Sequence, residues 1–519
     1  MSILLRKFQQ FKKIFFLDKN EKKYINIFRE INKNNLPKKS EVIFVNIAMD
    51  YEHLSNASFI LQTKKFKNAV IIGIWNYNIH SCWKSNYFLE NAVILKNLFK
   101  IYFLKKKWVK IYKSIGVQAV IDTSSASLLD KNKYKKKAKN IVNLIKKEKK
   151  EKILKLTMNN ILIGDLVIDT FIRFRNTQRI SVDDFFLKEI IKKFLISKNN
   201  IDKAIKKFKP KCIFLSHSNY SAGVVARVAV NKKIDVFCTG DQLSYLKKLS
   251  KNDTSSQTGY ENFKSSFKKV NLKKQKIRQA SIELNKRFLG NHDSSYQNFK
   301  THPYKVNSKK LKFRTKGVLF LHDFFDSPHH IKSMFFLDFY EWAIFTLNII
   351  KQYNLDIAVK PHPNSIYQNK IIVEELKKKF PEIKWINSDV TNTEIFKSGI
   401  KFGISVYGTV LYELAYKGLV AIASTPYHPS YNYDIVYTPK NKSQYKNLLI
   451  NSHKLKFKNN TKSKIEEFYY MFTFYNHDAL PETGRLINLK SINYEKSKSL
   501  IEYLKKLSIY KKEKSNFLV

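Results

Sequence analysis

Two short runs of this chain carry residues suited to holding a negatively charged group: Lys360-Pro361-His362-Pro363 and, about forty residues further on, Ser405-Val406-Tyr407-Gly408-Thr409. Each stands where an apolar, strand-like run gives way to helical spacing. In an open α/β sheet such corners lie beyond the carboxyl ends of the strands, where a helix start offers unpaired backbone N–H groups and a positive dipole end. A phosphate or diphosphate leaving group gathers negative charge as its bond to the transferred group breaks, and preorganised donors must meet that charge. Lys360, His362, the hydroxyls of Ser405 and Thr409, Tyr407 beside them and the N–H groups around Gly408 form such a set. Glu413 lies one turn further along and has the chemistry to accept from a ribose hydroxyl. The competing reading is structural: His362 as a turn residue between prolines, and Ser405–Thr409 as a capped tight turn.

The flanking sequence says how these corners are placed. Residues 355–359 read as a short buried strand stopped by Pro361 and Pro363, and 366–380 as a helix with lysines on its outer face. A strand over Ile383–Ile386, a short helix near Glu394 and a strand over Lys401–Ile404 follow, the last leading into Ser405. Gly408 permits close backbone approach, and Thr409 is placed to cap the next helix. That helix stops at Lys417-Gly418, and Leu419–Ala423 returns as a strand. Alternating strands and helices make a parallel sheet the economical architecture.

Upstream, Gly317–Leu321 reads as a strand running into His322-Asp323-Phe324-Phe325-Asp326-Ser327-Pro328-His329-His330, before an amphipathic helix from about Met334 to Ile350. Three histidines and two aspartates invite a metal reading. The spacing is no zinc pattern, no cysteine is near, and Asp326-Ser327-Pro328 is also an ordinary turn and helix start. The expectation is a polar, substrate-facing loop without metal, with Asp326 a catalytic candidate.

The run Gly408-Thr409-Val410-Leu411-Tyr412-Glu413, followed by Tyr416-Lys417-Gly418-Leu419-Val420 and taken with the His362-Pro363 dipeptide, resembles the donor-domain signature of bacterial capsular polysaccharide biosynthesis proteins. These are glycosyltransferase-like proteins with the GT-B fold. The resemblance is clearest over about 315–425; Leu411, Leu414 and Leu419 depart from the usual small residues and proline. In that group, and in the similar sialyl-, Kdo- and glycerophosphate-transferring enzymes, the His-Pro and Ser/Thr-Gly corners hold the nucleotide phosphate of a CMP- or CDP-type donor. The resemblance implies an α/β, GT-B-like chain of two Rossmann-type domains facing across a cleft. It also implies transfer from a nucleotide-activated sugar, with no cofactor or metal, to a glycan or lipid-linked acceptor in surface polysaccharide synthesis. Transfer of a polyol phosphate from a CDP-linked donor, and a non-catalytic export or assembly role, are its alternatives.

The N-terminal half repeats the alternation: strand Val42–Ala48, helix Leu54–Lys64, strand Ala69–Trp75, helix Asn91–Leu104, strand Lys211–Leu215 into Ser216-His217-Ser218, and strand Ile234–Cys238. An inverting transfer needs a carboxylate or histidine near the acceptor hydroxyl. His217 is the catalytic candidate here, alongside Asp50, Glu52, His53 and Asp241. Asp165, Asp169 and Arg173, at helical spacing, form either a functional face or an intrahelical pair. The expected boundaries are a basic amphipathic segment at 1–40, an acceptor-side domain at 41–300 with a lysine-rich insertion near 131–152, a linker at 301–316, a donor domain at 317–460 and helices at 461–519.

With 519 residues, 44% of them hydrophobic, the chain can build two or three sizeable cores. Its net charge of +54 comes from lysines spread along the whole length, accompanied by abundant Asn and Ile. Such a spread is what an AT-rich coding sequence would give without any selected partner, and attraction to an anionic membrane surface or glycan is the functional alternative; no nucleic-acid module is visible, so nucleic acid is not an expected partner. The start of the chain lacks the apolar core and cleavage site of a signal peptide, and no apolar run reaches the roughly eighteen residues of a span. Cys82, Cys212 and Cys238 are widely spaced and read as reduced thiols. The expected location is the cytoplasm, with peripheral association at the inner face of the plasma membrane.

Overall fold

The structure, a computed structural model, describes residues 15–32, 41–49, 51–62, 69–76, 87–148, 150–239, 247–256, 260–290, 304, 311–331, 334–362, 367–458, 461–475, 487–488 and 491–492. The chain divides into two compact units, one of residues 1–176, 181–256 and 475–519, the other of 177–180 and 257–474. Residues from 257 onward therefore group with the second unit, about forty residues earlier than the boundary read from sequence. A helix at Lys273–Phe288 accounts for the shift, because it packs on the helix Thr461–Thr473 of that unit.

The first unit runs α1 (Lys19–Asn32), β1 (Val42–Asn46), α2 (Tyr51–Gln62), β2 (Val70–Trp75), α3 (Tyr87–Ser114), β3 (Val117–Asp122), α4 (Leu128–Lys147), α5 (Gly164–Arg175), α6 (Phe185–Phe208), β4 (Cys212–Leu215), α7 (Tyr220–Asn231), β5 (Asp235–Cys238) and β6 (Lys247–Lys248). Its sheet has the order β3-β2-β1-β4-β5-β6, parallel except where β6 runs against β5. Strands such as Val42-Ile-Phe-Val and Cys212-Ile-Phe-Leu are apolar on both faces because helices cover both faces of a parallel sheet. The lysine-rich stretch is a helix, α4, capped by Ser127, with Ala138, Val142 and Ile145 turned inward and its lysines outward. Cys212 and Cys238 are buried free thiols, and Cys82 lies outside the described residues.

The second unit runs α8 (Lys273–Phe288), β7 (Gly317–Phe320), α9 (Phe339–Gln352), β8 (Ile357–Lys360), α10 (Tyr367–Lys379), α11 (Asn392–Lys397), β9 (Phe402–Ser405), α12 (Val410–Tyr416), β10 (Val420–Ala423), α13 (Lys442–Ile450) and α14 (Thr461–Thr473). All four strands are parallel, in the order β8-β7-β9-β10. Two local expectations change. The run Ile383–Ile386 makes one bridge, Trp385 beside Val359, and is no strand: Pro381 and the Asn387-Ser388 turn leave it too short to continue. The helix expected from Met334 starts at Phe339, because Asp338 caps it by accepting from Glu341 N (2.6 Å) while Glu341 reaches back to Leu337 N (2.8 Å). Gly418, at φ +77°, ends α12 in the left-handed conformation foreseen for it.

Candidate functional site

In the second sheet the chain leaves β7 toward β8 on one side and leaves β9 toward β10 on the other. The carboxyl ends of β7 and β9 are thus where the strand order reverses, the position at which such sheets bind ligands. Three sequence motifs meet there. The Tyr407 hydroxyl donates to the Ser327 carbonyl (3.1 Å) and lies 3.2 Å from His330 Nδ1, joining the corner after β9 to the loop after β7. His322 lays its ring on Phe339 (4.3 Å between centroids), turns its edge to Tyr407 (5.2 Å) and stands 5.8 Å from the ring of His362, at the end of β8. His322, His362 and Tyr407 therefore share one patch, and the first two remain partly exposed.

Several of the expected donors are committed elsewhere. The Ser405 hydroxyl is buried and gives its proton to the Phe320 carbonyl (3.1 Å), so it ties β9 to β7. Lys360 is 3% exposed, and its ammonium donates to the carbonyls of Asn387 (3.0 Å) and Ser388 (2.8 Å). Burial pulls its pKa down to about 8, against the opposing charge of Asp389. Thr409 is exposed and already helical (φ −55°, ψ −26°), and its side chain makes no capping bond; its hydroxyl meets that of Tyr412. Thr409 is thus an exposed residue whose hydroxyl is engaged by Tyr412, and not the cap read from sequence. At Gly408 an added Cβ would come within 3.1 Å of Ser405 Oγ, so the corner packs closely onto the strand end it leaves.

Glu413 is also placed differently from the expectation. Its carboxylate is 1% exposed, with one oxygen accepting from Arg287 Nε (2.7 Å) and the other from the Tyr304 hydroxyl. Both oxygens are engaged inside the unit, where the apolar spacing of α12 directs that side of the helix, and neither is presented to a ribose. Burial, the largest influence, would lower the pKa of Arg287; the Glu413 charge together with Tyr412, Tyr304 and Tyr469 outweighs it and leaves the pKa raised.

Asp326 is half-buried and accepts from Ser327 N (2.9 Å), the turn contact its neighbours suggested. Asp323 is fixed more firmly, since its Oδ1 accepts from Phe325 N (2.9 Å) and from Asn369 Nδ2 (2.8 Å), while Asn369 Oδ1 takes Phe324 N (3.0 Å). Asn369, buried on α10, is a loop-holding residue that no local pattern in the sequence marks out. His329 Nε2 donates to the Leu337 carbonyl (3.0 Å), and His330 Nδ1 to that of Ser327. Among the described residues no three His, Cys, Asp or Glu side chains converge as a metal site requires.

A second residue passed over in the sequence lies beneath the Gly408 corner. His428 is 1% exposed, and Ser430 N donates to its Nδ1 (3.2 Å). A backbone N–H can only donate, so Nδ1 is the unprotonated nitrogen and the proton sits on Nε2. Burial drives the pKa down to about 3, against the Gly408 backbone, which favours the protonated form. His428 is thus a neutral, buried imidazole near the Gly408 backbone, with Nε2 making no hydrogen bond among the described residues. Its signal was legible: His428-Pro429 is another His-Pro dipeptide just beyond a strand.

In the first unit the strand order reverses between β1 and β4, where Asn46 Nδ2 approaches Ser216 Oγ (3.4 Å). His217 is partly exposed, with Nδ1 accepting from Asn219 N (3.1 Å). The neutral ring therefore carries its proton on Nε2, which makes His217 a donor at that edge and not a ready base. His53 is buried with both nitrogens engaged, Nδ1 by Thr239 Oγ1 (2.9 Å) and Nε2 by the Asn46 carbonyl (2.9 Å); burial, with a smaller contribution from His217, lowers its pKa to about 4. Asp165 binds Arg227 of α7 through both oxygens (2.6 and 2.5 Å), joining α5 to α7. Asp50, Asp241 and the Glu52 side chain lie outside the described residues.

Two α/β units built on parallel sheets, one carrying a donor-rich patch at its strand-order reversal, define the class of the molecule. No family model matches the chain, and no curated protein matches it. Among solved structures it is similar to UDP-GlcNAc 2-epimerase from Neisseria meningitidis bound to UDP-GlcNAc, with 10% identity over 90% of this chain and 100% of that one and a TM-score of 0.23. It is similar to MurG of Acinetobacter baumannii, with 9% identity over 90% and 100% and a TM-score of 0.28. It is likewise similar to the wall teichoic acid polymerase TagF, with 11% identity over 99% and 100% and a TM-score of 0.20. No helix among the described residues is long and apolar enough to cross a membrane.

Proposed function

We propose that this chain is a GT-B-like glycosyltransferase of surface polysaccharide synthesis that uses a CMP- or CDP-type sugar donor without metal and delivers the sugar to a glycan or lipid-linked acceptor. The observation that carries this reading is the meeting of His322, His362 and Tyr407 at the strand-order reversal of the second sheet. In this reading the two imidazoles and the backbone amides around Gly408 meet the charge that develops on the leaving phosphate, a preorganised electrostatic role. Tyr407 holds the corner against the β7 loop, and Ser405, Lys360 and Glu413 form the frame. The motif resemblance over about 315–425 supports the nucleotide phosphate as the ligand and cytidine as the base.

The test is thermal unfolding of the purified full chain with CMP, CDP, UDP and GDP, each with and without EDTA, beside an assay of nucleotide release from activated sugars. A bound nucleotide at about 100 times its dissociation constant adds roughly 2.7 kcal/mol to the native state. Stabilisation by cytidine nucleotides that survives EDTA is the expected result. Stabilisation lost in EDTA overturns the metal-free reading, and a preference for uridine or guanosine overturns the cytidine assignment alone. Binding without turnover of any donor would favour a non-catalytic role.

A further inference from the structure

Away from either strand-order reversal, one face of the first unit combines uncompensated cations with exposed aromatic rings. Helix α3 carries seven lysines and a single acidic residue, Glu90. Lys105 and Lys107 are held inside the unit by Asp122 and Glu21, and Trp108, Ile111, Tyr112 and Ile115 face the core. On the other side Phe99, Tyr102, Lys106, Lys110 and Lys113 follow one another at spacings of three, four, four and three. At 100° per residue these five fall within roughly a quarter of the helix circumference, and they extend for about 21 Å. All five are exposed.

The stripe has two parts. Lys106, Lys110 and Lys113, together with Arg29 of α1, line an open cleft of about 370 Å³ whose other lining residues are Val109 and Ser114. Among the described residues no carboxylate lines it. Beyond its end Phe99 and Tyr102 are 59% and 53% exposed, and Phe16, at 60%, stands next to Phe15, whose ring packs on Phe99 and Phe103. Lys106 sits 4.6 Å over the Tyr102 ring and joins the two parts.

We infer that this α1–α3 face docks the protein on a membrane surface containing anionic lipid. Four cations, with no acid among the described residues of the cleft, match lipid phosphates in charge, and aromatic rings beside cations suit the boundary between headgroups and acyl chains. A soluble polyanion would use the cations alone. Nucleic-acid stacking needs open ring faces, whereas Phe99 is packed edge-on against Phe103, at 62° between planes. The proposal does not depend on the transfer reaction.

The experiment is vesicle flotation of the full chain at near-physiological salt, using neutral phosphatidylcholine and the same lipid with about 30% phosphatidylglycerol. The triple variant Lys106→Glu, Lys110→Glu, Lys113→Glu is compared with a charge-matched control on the exposed face of α4, Lys133→Glu, Lys136→Glu, Lys137→Glu, and with Phe99→Ser, Tyr102→Ser. Each surface cation is worth about fivefold in binding, so the cleft variant should lose at least about a hundredfold on anionic vesicles, and the control no more than the general weakening expected of distant charges. The aromatic variant should weaken binding about tenfold, consistent with two partly buried rings. Equal losses in cleft and control variants would show that net charge alone attracts the protein and would overturn the site. Equal binding to neutral vesicles would overturn the electrostatic part. An unaffected aromatic variant, with the cleft variant losing heparin or RNA binding in parallel, would make this a soluble-polyanion site. Should the triple reversal lower the unfolding midpoint, Lys110→Gln with Lys113→Gln gives the same comparison, with an expected loss of about twentyfold.

Discussion

His322 and His362 place their rings 5.8 Å apart and 28° from parallel, each two residues beyond the register pair Phe320 and Lys360 of neighbouring parallel strands. Register alone thus brings together two motifs that lie forty residues apart in the chain. If both imidazoles face one developing charge, His322→Ala and His362→Ala should each lower donor turnover by about a hundredfold to a thousandfold. The double variant should lose less than the product of the two, because groups acting on one charge are not independent. Unfolding midpoints measured beside turnover complete the test: full activity in His362→Ala, or outright unfolding, would make His362 a turn residue.

The Glu413–Arg287 pair predicts a stability effect in place of a binding one. With the carboxylate buried and both oxygens engaged, Glu413→Gln leaves a guanidinium without its counter-charge and should cost about 3 to 5 kcal/mol in urea unfolding. Glu413→Leu combined with Arg287→Met should recover much of that loss, since both charges then go together. A Glu413→Gln protein of unchanged stability but weakened nucleotide binding would restore the ribose role.

Lys360 gives the alkaline limb a definite sign. Its pKa falls from 10.5 to about 8 on folding, so between those values the unfolded chain binds the additional proton. The penalty for burying the ammonium is complete below pH 8 and has vanished by about 10.5, and its full size is about 3 kcal/mol. The stability of the wild type relative to Lys360→Met should therefore rise across that window; a flat difference would mean that the ammonium is not buried in solution.

Two buried neutral histidines set the acid limb. His53 and His428 have pKa values lowered by burial from 6.5 to about 4 and about 3. The unfolded state takes up protons first, so the stability each confers is present above pH 6.5 and is lost as the pH falls toward 4, by about 3 kcal/mol per histidine. His53→Gln and His428→Gln should each flatten this dependence, whatever the absolute stability of the variant. An unchanged slope in either variant would show that its imidazole is not buried neutral.

The strands, the helices and the two corners were legible in the sequence because they depend on local patterns: apolar runs such as Ile357–Lys360, helical spacing, and Pro361, Gly408 and Gly418 as punctuation. The direction in which each candidate side chain points was not legible. Lys360, Ser405 and Glu413 have the chemistry of ligand contacts, yet the positions of Asn387, Phe320 and Arg287, each set by a distant part of the chain, turn them inward. Asn369 shows the converse, because its partner Asp323 becomes a neighbour only when the sheet assembles. A polar side chain is selected for a ligand or for the interior by whichever partner folding places within hydrogen-bond reach. That choice is fixed by sheet register and helix packing, which no local stretch of sequence contains.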